Sequence, residues 1–113
     1  MPFFNFSFRG RPTSLDPIHI LLTARVRADG EVLDIKNPFA LGFQITLVED
    51  GTYSVQMPGV FGVEHTQIMV ITRDDGYSVW NVEYTNDDVA LVTGVDNDTG
   101  LRVDRGFFLM VVR

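Results

Sequence analysis

From Ile18 to Arg27 apolar and polar positions alternate. Ile18, Ile20, Leu22, Ala24 and Val26 share one face, and His19, Leu21, Thr23, Arg25 and Arg27 share the other. A period of two is that of a strand with one face in a core, because successive side chains leave a pleated backbone on opposite sides. The same period runs through Phe43, Ile45 and Leu47, set between Gln44, Thr46 and Val48. It returns in Tyr53, Val55 and Met57, set between Thr52, Ser54 and Gln56. Gln67 to Thr72 instead carries a continuous apolar run, Ile68-Met69-Val70-Ile71, the pattern predicted for a strand covered on both sides. Tyr77 to Tyr84, Val89 to Val95 and Phe107 to Val112 predict three more strands, and Glu31 to Ile35 a shorter one.

Turn residues punctuate these stretches at intervals of roughly 8–12 residues, the spacing of a sandwich or barrel. Asp29-Gly30, Asp50-Gly51 and Asp75-Gly76 are the strongest marks, since Asp-Gly supplies the positive φ angles of tight hairpins. Asn86-Asp87-Asp88 and Asp96-Asn97-Asp98-Thr99-Gly100 mark two more, and Arg105-Gly106 is a weaker one. No window long enough for a helix holds a 3.6-residue apolar stripe free of Gly, Pro or β-branched clusters; one helical turn between Pro38 and Gly42 is the most expected. The predicted class is all-β: an antiparallel β-sandwich of about eight short strands, jelly-roll or lectin-like, over residues 18–113, with an extended N-terminal arm over residues 1–17.

The arm has its own composition. Phe3, Phe4, Phe6 and Phe8 are four of the nine Phe in the chain, and Arg9-Gly10-Arg11-Pro12 follows them. The Phe spacing fits an edge strand tucked into the domain's own core. It also fits a segment docking on another subunit, since four exposed Phe are more apolar surface than a solitary chain carries, and a disordered tail is the third reading. In the docking reading Phe3, Phe4, Phe6 and Phe8 are buried on the partner, and Arg9 and Arg11 pair with its carboxylates.

Composition narrows the function classes. With 113 residues, 45% of them hydrophobic and 21% charged, the chain has the means for one globular core, and disorder does not describe the whole. The absence of Cys removes disulfides, thiolate metal sites and cysteine nucleophiles. A net charge of −6 sets the chain against nucleic-acid phosphates. Eight of the nine cations are Arg, the cation favoured at protein interfaces, although a high-GC genome gives the same bias. No apolar run is long enough to span a bilayer, and the first residues lack the basic and apolar regions of a signal peptide, so neither membrane nor export signal is expected.

Catalytic groups are sparse. His19 and His65 lie far apart in sequence with no metal-binding spacing, and there is no G-x-S-x-G elbow, phosphate loop or dinucleotide fingerprint. Asp96-Asn97-Asp98 offers hard oxygens of the kind Ca²⁺ takes, but Gly100 and Phe107 depart from an EF-hand loop, and Asp-rich turns form for geometric reasons alone. Nothing selects a catalytic carboxylate pair from fifteen acids. An enzyme, a metal and a cofactor are therefore not expected. Trp80 and Tyr84 share one face of a predicted strand with Val82. Facing inward they are core; facing outward they form an aromatic platform that stacks on a sugar or anchors a subunit, with the loops around Asp74 and Asp98 as a polar rim.

Three segments carry a resemblance: Ala24-Arg25-Val26-Arg27-Ala28-Asp29-Gly30-Glu31-Val32, Gly51-Thr52-Tyr53-Ser54-Val55 and Asp104-Arg105-Gly106-Phe107-Phe108-Leu109. Together they resemble the small β-sandwich modules of bacterial and phage fibre-like and virion proteins, although Gly106 stands where those modules usually carry proline. The order of a Gly-x-Tyr-x-Val strand, a buried strand, a strand pair and a closing apolar strand is also similar to H-type lectin domains, which assemble as trimers or hexamers. The resemblance implies a virion structural protein, in capsid decoration or in a tail or head fibre, assembled in the host cytoplasm. Its partners would be copies of itself, with a trimer expected, and a larger virion assembly. A carbohydrate-binding module that recognises a surface glycan is the alternative.

Overall fold

The computed structural model describes residues 19–36, 42–73 and 76–113. Each alternating stretch becomes a strand: β1 (Ile20–Val26), β2 (Val32–Lys36), β3 (Gln44–Glu49), β4 (Thr52–Gln56), β5 (Gln67–Thr72), β6 (Ser78–Tyr84), β7 (Val89–Asp96) and β8 (Phe107–Val112). All pair antiparallel in two four-stranded sheets, sheet A in the order β2-β1-β8-β5 and sheet B in the order β3-β4-β7-β6. The protein is an all-β sandwich, and no helix occurs among the described residues. The arm over residues 1–17 lies outside the described residues, as do residues 38–41 of the expected turn.

The two central strands of each sheet build the core. Leu22, Ala24 and Val26 of β1 and Phe107, Leu109 and Val111 of β8 meet Tyr53 and Val55 of β4 and Ala90 and Val92 of β7, each no more than 1% exposed. Fully burying a side chain of this size stabilises the fold by about 1.5–3 kcal/mol. The edge strands contribute partly buried residues, among them Ile45 and Leu47 of β3, Val70 of β5 and Trp80 and Val82 of β6.

Two expectations are corrected. Gln67–Thr72 is not covered on both sides: it is the edge strand of sheet A, with Ile68 buried but Met69 52% and Ile71 63% exposed. The central position belongs to β8, which pairs with both β1 and β5, and its outward Phe108, Met110 and Val112 are half-buried. Ile20, expected beside Leu22 on the core face, is 53% exposed. The β1–β8 register shifts between Ile20 and Leu22, so the extra residue Leu21 rotates Ile20 onto the outer face, where it pairs with Val112.

Polar contacts close the ends of the sandwich. The buried Tyr53 hydroxyl lies 2.6 Å from the Ala28 carbonyl and 3.3 Å from that of Arg105, tying β4 to both the β1–β2 turn and the approach to β8. Arg105 donates to the Tyr77 carbonyl at 2.8 Å, the Ser78 hydroxyl at 3.1 Å and Asp96 Oδ1 at 2.9 Å. The Arg105 and Asp96 side chains are only 19% and 14% exposed. The Arg105 hydrogen bond, helped by the Thr99 hydroxyl and N–H on Oδ2, holds the Asp96 carboxyl below its usual range despite its partial burial. A carboxyl depressed on folding contributes stability above its unfolded value and loses it as pH falls through the folded one. The urea midpoint should therefore fall more steeply between about pH 5 and about pH 3 in the native protein than in Asp96→Asn. Equal slopes would mean that Asp96 is not linked to folding.

Candidate interaction surface

The registers of sheet A sort its outward side chains into three rows, with Leu33 left out by the β1–β2 bulge. Ile20, Val112 and Gln67 form one row; Lys36, Thr23, Met110 and Met69 the next; and Asp34, Arg25, Phe108 and Ile71 a third. Paired residues point to the same side of a sheet, so Ile20, Val112, Met110, Phe108, Met69 and Ile71 make one continuous apolar field across β1, β8 and β5. Ile20, Met69 and Ile71 are more than half exposed, and Phe108, Met110 and Val112 are half-buried. Along the β2 side the field is bordered by charge, with Arg25 Nε 3.9 Å from Asp34 Oδ2 and both side chains half exposed. A depression of about 200 Å³ opens there among Thr23, Arg25, Asp34, Lys36 and Phe108.

The outer face of sheet B has the opposite character. Its rows run Gln44, Gln56, Val89, then Thr46, Ser54, Leu91, Glu83, then Thr52, Thr93, Asn81, then Val95, Val79. Polar side chains interrupt the first three rows, and the Val95–Val79 row at one end is apolar, so this face is mainly polar, the composition of a sheet face turned to water. The two outer faces thus differ in chemistry although the two inner faces build one core.

The sequence-predicted site residues are dispersed. Trp80 takes the inward alternative, whereas Tyr84, on the same side of β6, is 44% exposed. The Trp80 ring centroid lies 5.0 Å from that of Phe107 and 6.4 Å from that of Tyr53, and its indole N–H donates to the Thr72 hydroxyl at 2.8 Å. A Cβ at Gly94, opposite on β7, would come within 2.7 Å of this ring, so the glycine leaves the space that the indole fills. The Tyr84 hydroxyl accepts the Ile68 N–H at 3.0 Å, and its ring packs 5.8 Å from that of Phe61, at the open end of the sandwich. The indole is therefore not presented as a flat outward platform for a sugar. Asp98 is exposed in the turn after β7, and Asp74, Phe3, Phe4, Phe6, Phe8, Arg9 and Arg11 lie outside the described residues. Among the described residues no group of three or more His, Cys, Asp or Glu is placed to hold a metal ion.

One cavity, of about 430 Å³, sits beside the start of β1 and is lined by His19, Leu21, Met57, Val60 and Arg113. The Arg113 guanidinium is already engaged by the Thr66 hydroxyl at 3.1 Å and the Val60 carbonyl at 3.3 Å. No helix of the described residues is long and apolar enough to cross a membrane. No family model matches the chain, and no curated protein or solved structure does so.

The outer face of sheet A was not singled out from sequence. Its signal was nonetheless present: Ile68-Met69-Val70-Ile71 and Phe107-Phe108-Leu109-Met110-Val111-Val112 are apolar without alternation, the second being the longest such run among the strands, although Val89-Ala90-Leu91-Val92 of sheet B shows a shorter one. A strand with one core face needs apolar residues only at every second position, so the surplus serves the other face.

Proposed function

We propose that this protein works by protein–protein assembly, as a phage-like virion structural protein in capsid decoration or in a tail or head fibre. The observation that supports this reading is the apolar outer face of sheet A set against the mainly polar outer face of sheet B. A contiguous apolar face on a small domain marks a contact surface more readily than a chemical site. The likeness of Asp104-Arg105-Gly106-Phe107-Phe108-Leu109 and the other two segments to virion modules supplies the setting. In this reading the chain forms a homo-oligomer, with a trimer expected, and residues Phe3, Phe4, Phe6 and Phe8, flanked by Arg9 and Arg11, dock on the larger virion assembly.

The reading is tested by size-exclusion chromatography with light scattering on the full chain. The expected mass is a multiple of 12.7 kDa that persists on dilution into the low micromolar range. A chain that stays monomeric at every concentration overturns the self-assembly part. Deleting residues 1–11 should leave the β-rich circular dichroism unchanged while abolishing incorporation into particles. A truncation that unfolds shows instead that the segment belongs to the domain's own core. The neighbouring genes check the setting: capsid and tail genes support the virion reading, and an adjoining catalytic domain or secretion signal points to glycan binding.

A further inference from the structure

The apolar field on sheet A lies on the strands that also hold the core, so its residues are fixed in register by the pairing of β1, β8 and β5. We infer that this face packs against the same face of a second copy of the chain. The inference rests on the assembly reading above and names the surface and the partner that it requires.

Size is the first support. Four strands about 4.8 Å apart, five to seven residues long at about 3.4 Å per residue, present a plane of roughly 400 Å². The relief of Phe108, Met110, Met69 and Ile71 raises the accessible area toward the roughly 800 Å² per partner of a stable protein contact. Charge is the second support and decides the partner. The β2 column beside the field holds Asp34 and Lys36, with Arg25 of β1 next to Asp34, so it carries both signs. Turned end for end against itself, it sets Asp34 of one copy beside Lys36 of the other, because the two residues lie in adjacent rows. A surface that complements itself in this way is what a closed symmetric contact demands. A foreign acidic or basic partner would instead select one sign. The chain as a whole is at −6, whereas this face has two cations to one carboxylate, so two copies that meet here keep the acidic remainder apart. Met69 and Met110 add side chains that adapt to an opposing surface.

The test uses the full chain and three single variants, read by light scattering and circular dichroism: Met110→Lys at the centre of the field, Ile71→Lys at its edge and Val79→Lys on the outer face of sheet B. Ile71 and Val79 are 63% and 61% exposed, so both lysines reach water in a separated chain and the fold should tolerate them. The expected result is a native oligomer, an unchanged Val79→Lys, and at least a tenfold weaker association in Met110→Lys and Ile71→Lys with sheet content retained. Should Met110→Lys unfold, Ile71→Lys decides. A native oligomer that Ile71→Lys leaves intact, or that Val79→Lys disrupts equally, overturns the face assignment and leaves the assembly reading standing. A native chain that is monomeric throughout overturns both.

Discussion

Gly51→Ala should destabilise the protein by about 3–5 kcal/mol, seen as a lower urea midpoint, with the β-rich spectrum kept in the surviving folded fraction. Gly51 has φ of 69°, a left-handed conformation that costs a residue with a Cβ about 1–2 kcal/mol. The larger contribution is steric. An added Cβ would stand 2.7 Å from the Gly94 carbonyl oxygen and 2.9 Å from the Val103 nitrogen, both backbone atoms that cannot rotate away. Relieving that contact means moving the β3–β4 turn, which stretches the 2.6 Å hydrogen bond from the Gly51 N–H to Asp104 and the 2.8 Å bond from the Gly94 N–H to the Gly51 carbonyl. Gly100→Ala is the control. Its φ is 73°, yet nothing lies within 4 Å of the added Cβ, so only the conformational cost of about 1 kcal/mol should appear. Equal losses in the two variants would mean that the contacts at Gly51 contribute nothing.

Phe107→Ala should cost about 3–5 kcal/mol, a large part of the stability of a domain of this size. The side chain is fully buried, with its ring 4.8 Å from Tyr53 in an edge contact and 5.0 Å from Trp80. Truncation leaves a cavity walled by two rings that are held in place by their own hydrogen bonds, Tyr53 to the Ala28 carbonyl and Trp80 to Thr72. The site therefore relaxes little, which puts the cost toward the upper end. Trp80 is the only Trp, so its fluorescence reports the change directly, with a red shift as water or mobility reaches the indole. A loss below about 1 kcal/mol would show that the cluster repacks freely.

The strands were legible because two independent signals agree on them. Asp29-Gly30 and Asp50-Gly51 place hairpin turns, and the period of two fills the space on either side. Which strands become neighbours was not legible, since alternation says that a face is covered and never by what. The run Ile68-Met69-Val70-Ile71 shows the limit. An apolar strand between two layers of its own domain and an edge strand with an apolar outer face have the same local sequence, and only the exposure of Met69 and Ile71 in the assembled sheet separates them. Trp80 and Tyr84 were placed correctly on one face, but the direction of that face depends on Thr72 and Phe107, which arrive from sheet A. Ile20 was misassigned because a single extra residue, Leu21, reverses the alternation without any mark in composition. The candidate surface inherits these limits: its residues belong to three strands and become one field only through the registers.

His19 and Arg113 exchange both of their backbone hydrogen bonds, each at 2.9 Å, so the described chain enters and leaves the sandwich at a single point. The consequence is mechanical. Because β1 and β8 run antiparallel from that point, a load applied between the two ends opens their ladder one pair at a time, beginning with His19 and Arg113. A ladder loaded in sequence yields at lower force than one whose hydrogen bonds are strained together. A tether carried wholly by the N-terminal side, with the load returned through the face of sheet A, bypasses that seam. The fold therefore yields early as a link in a chain pulled from both ends.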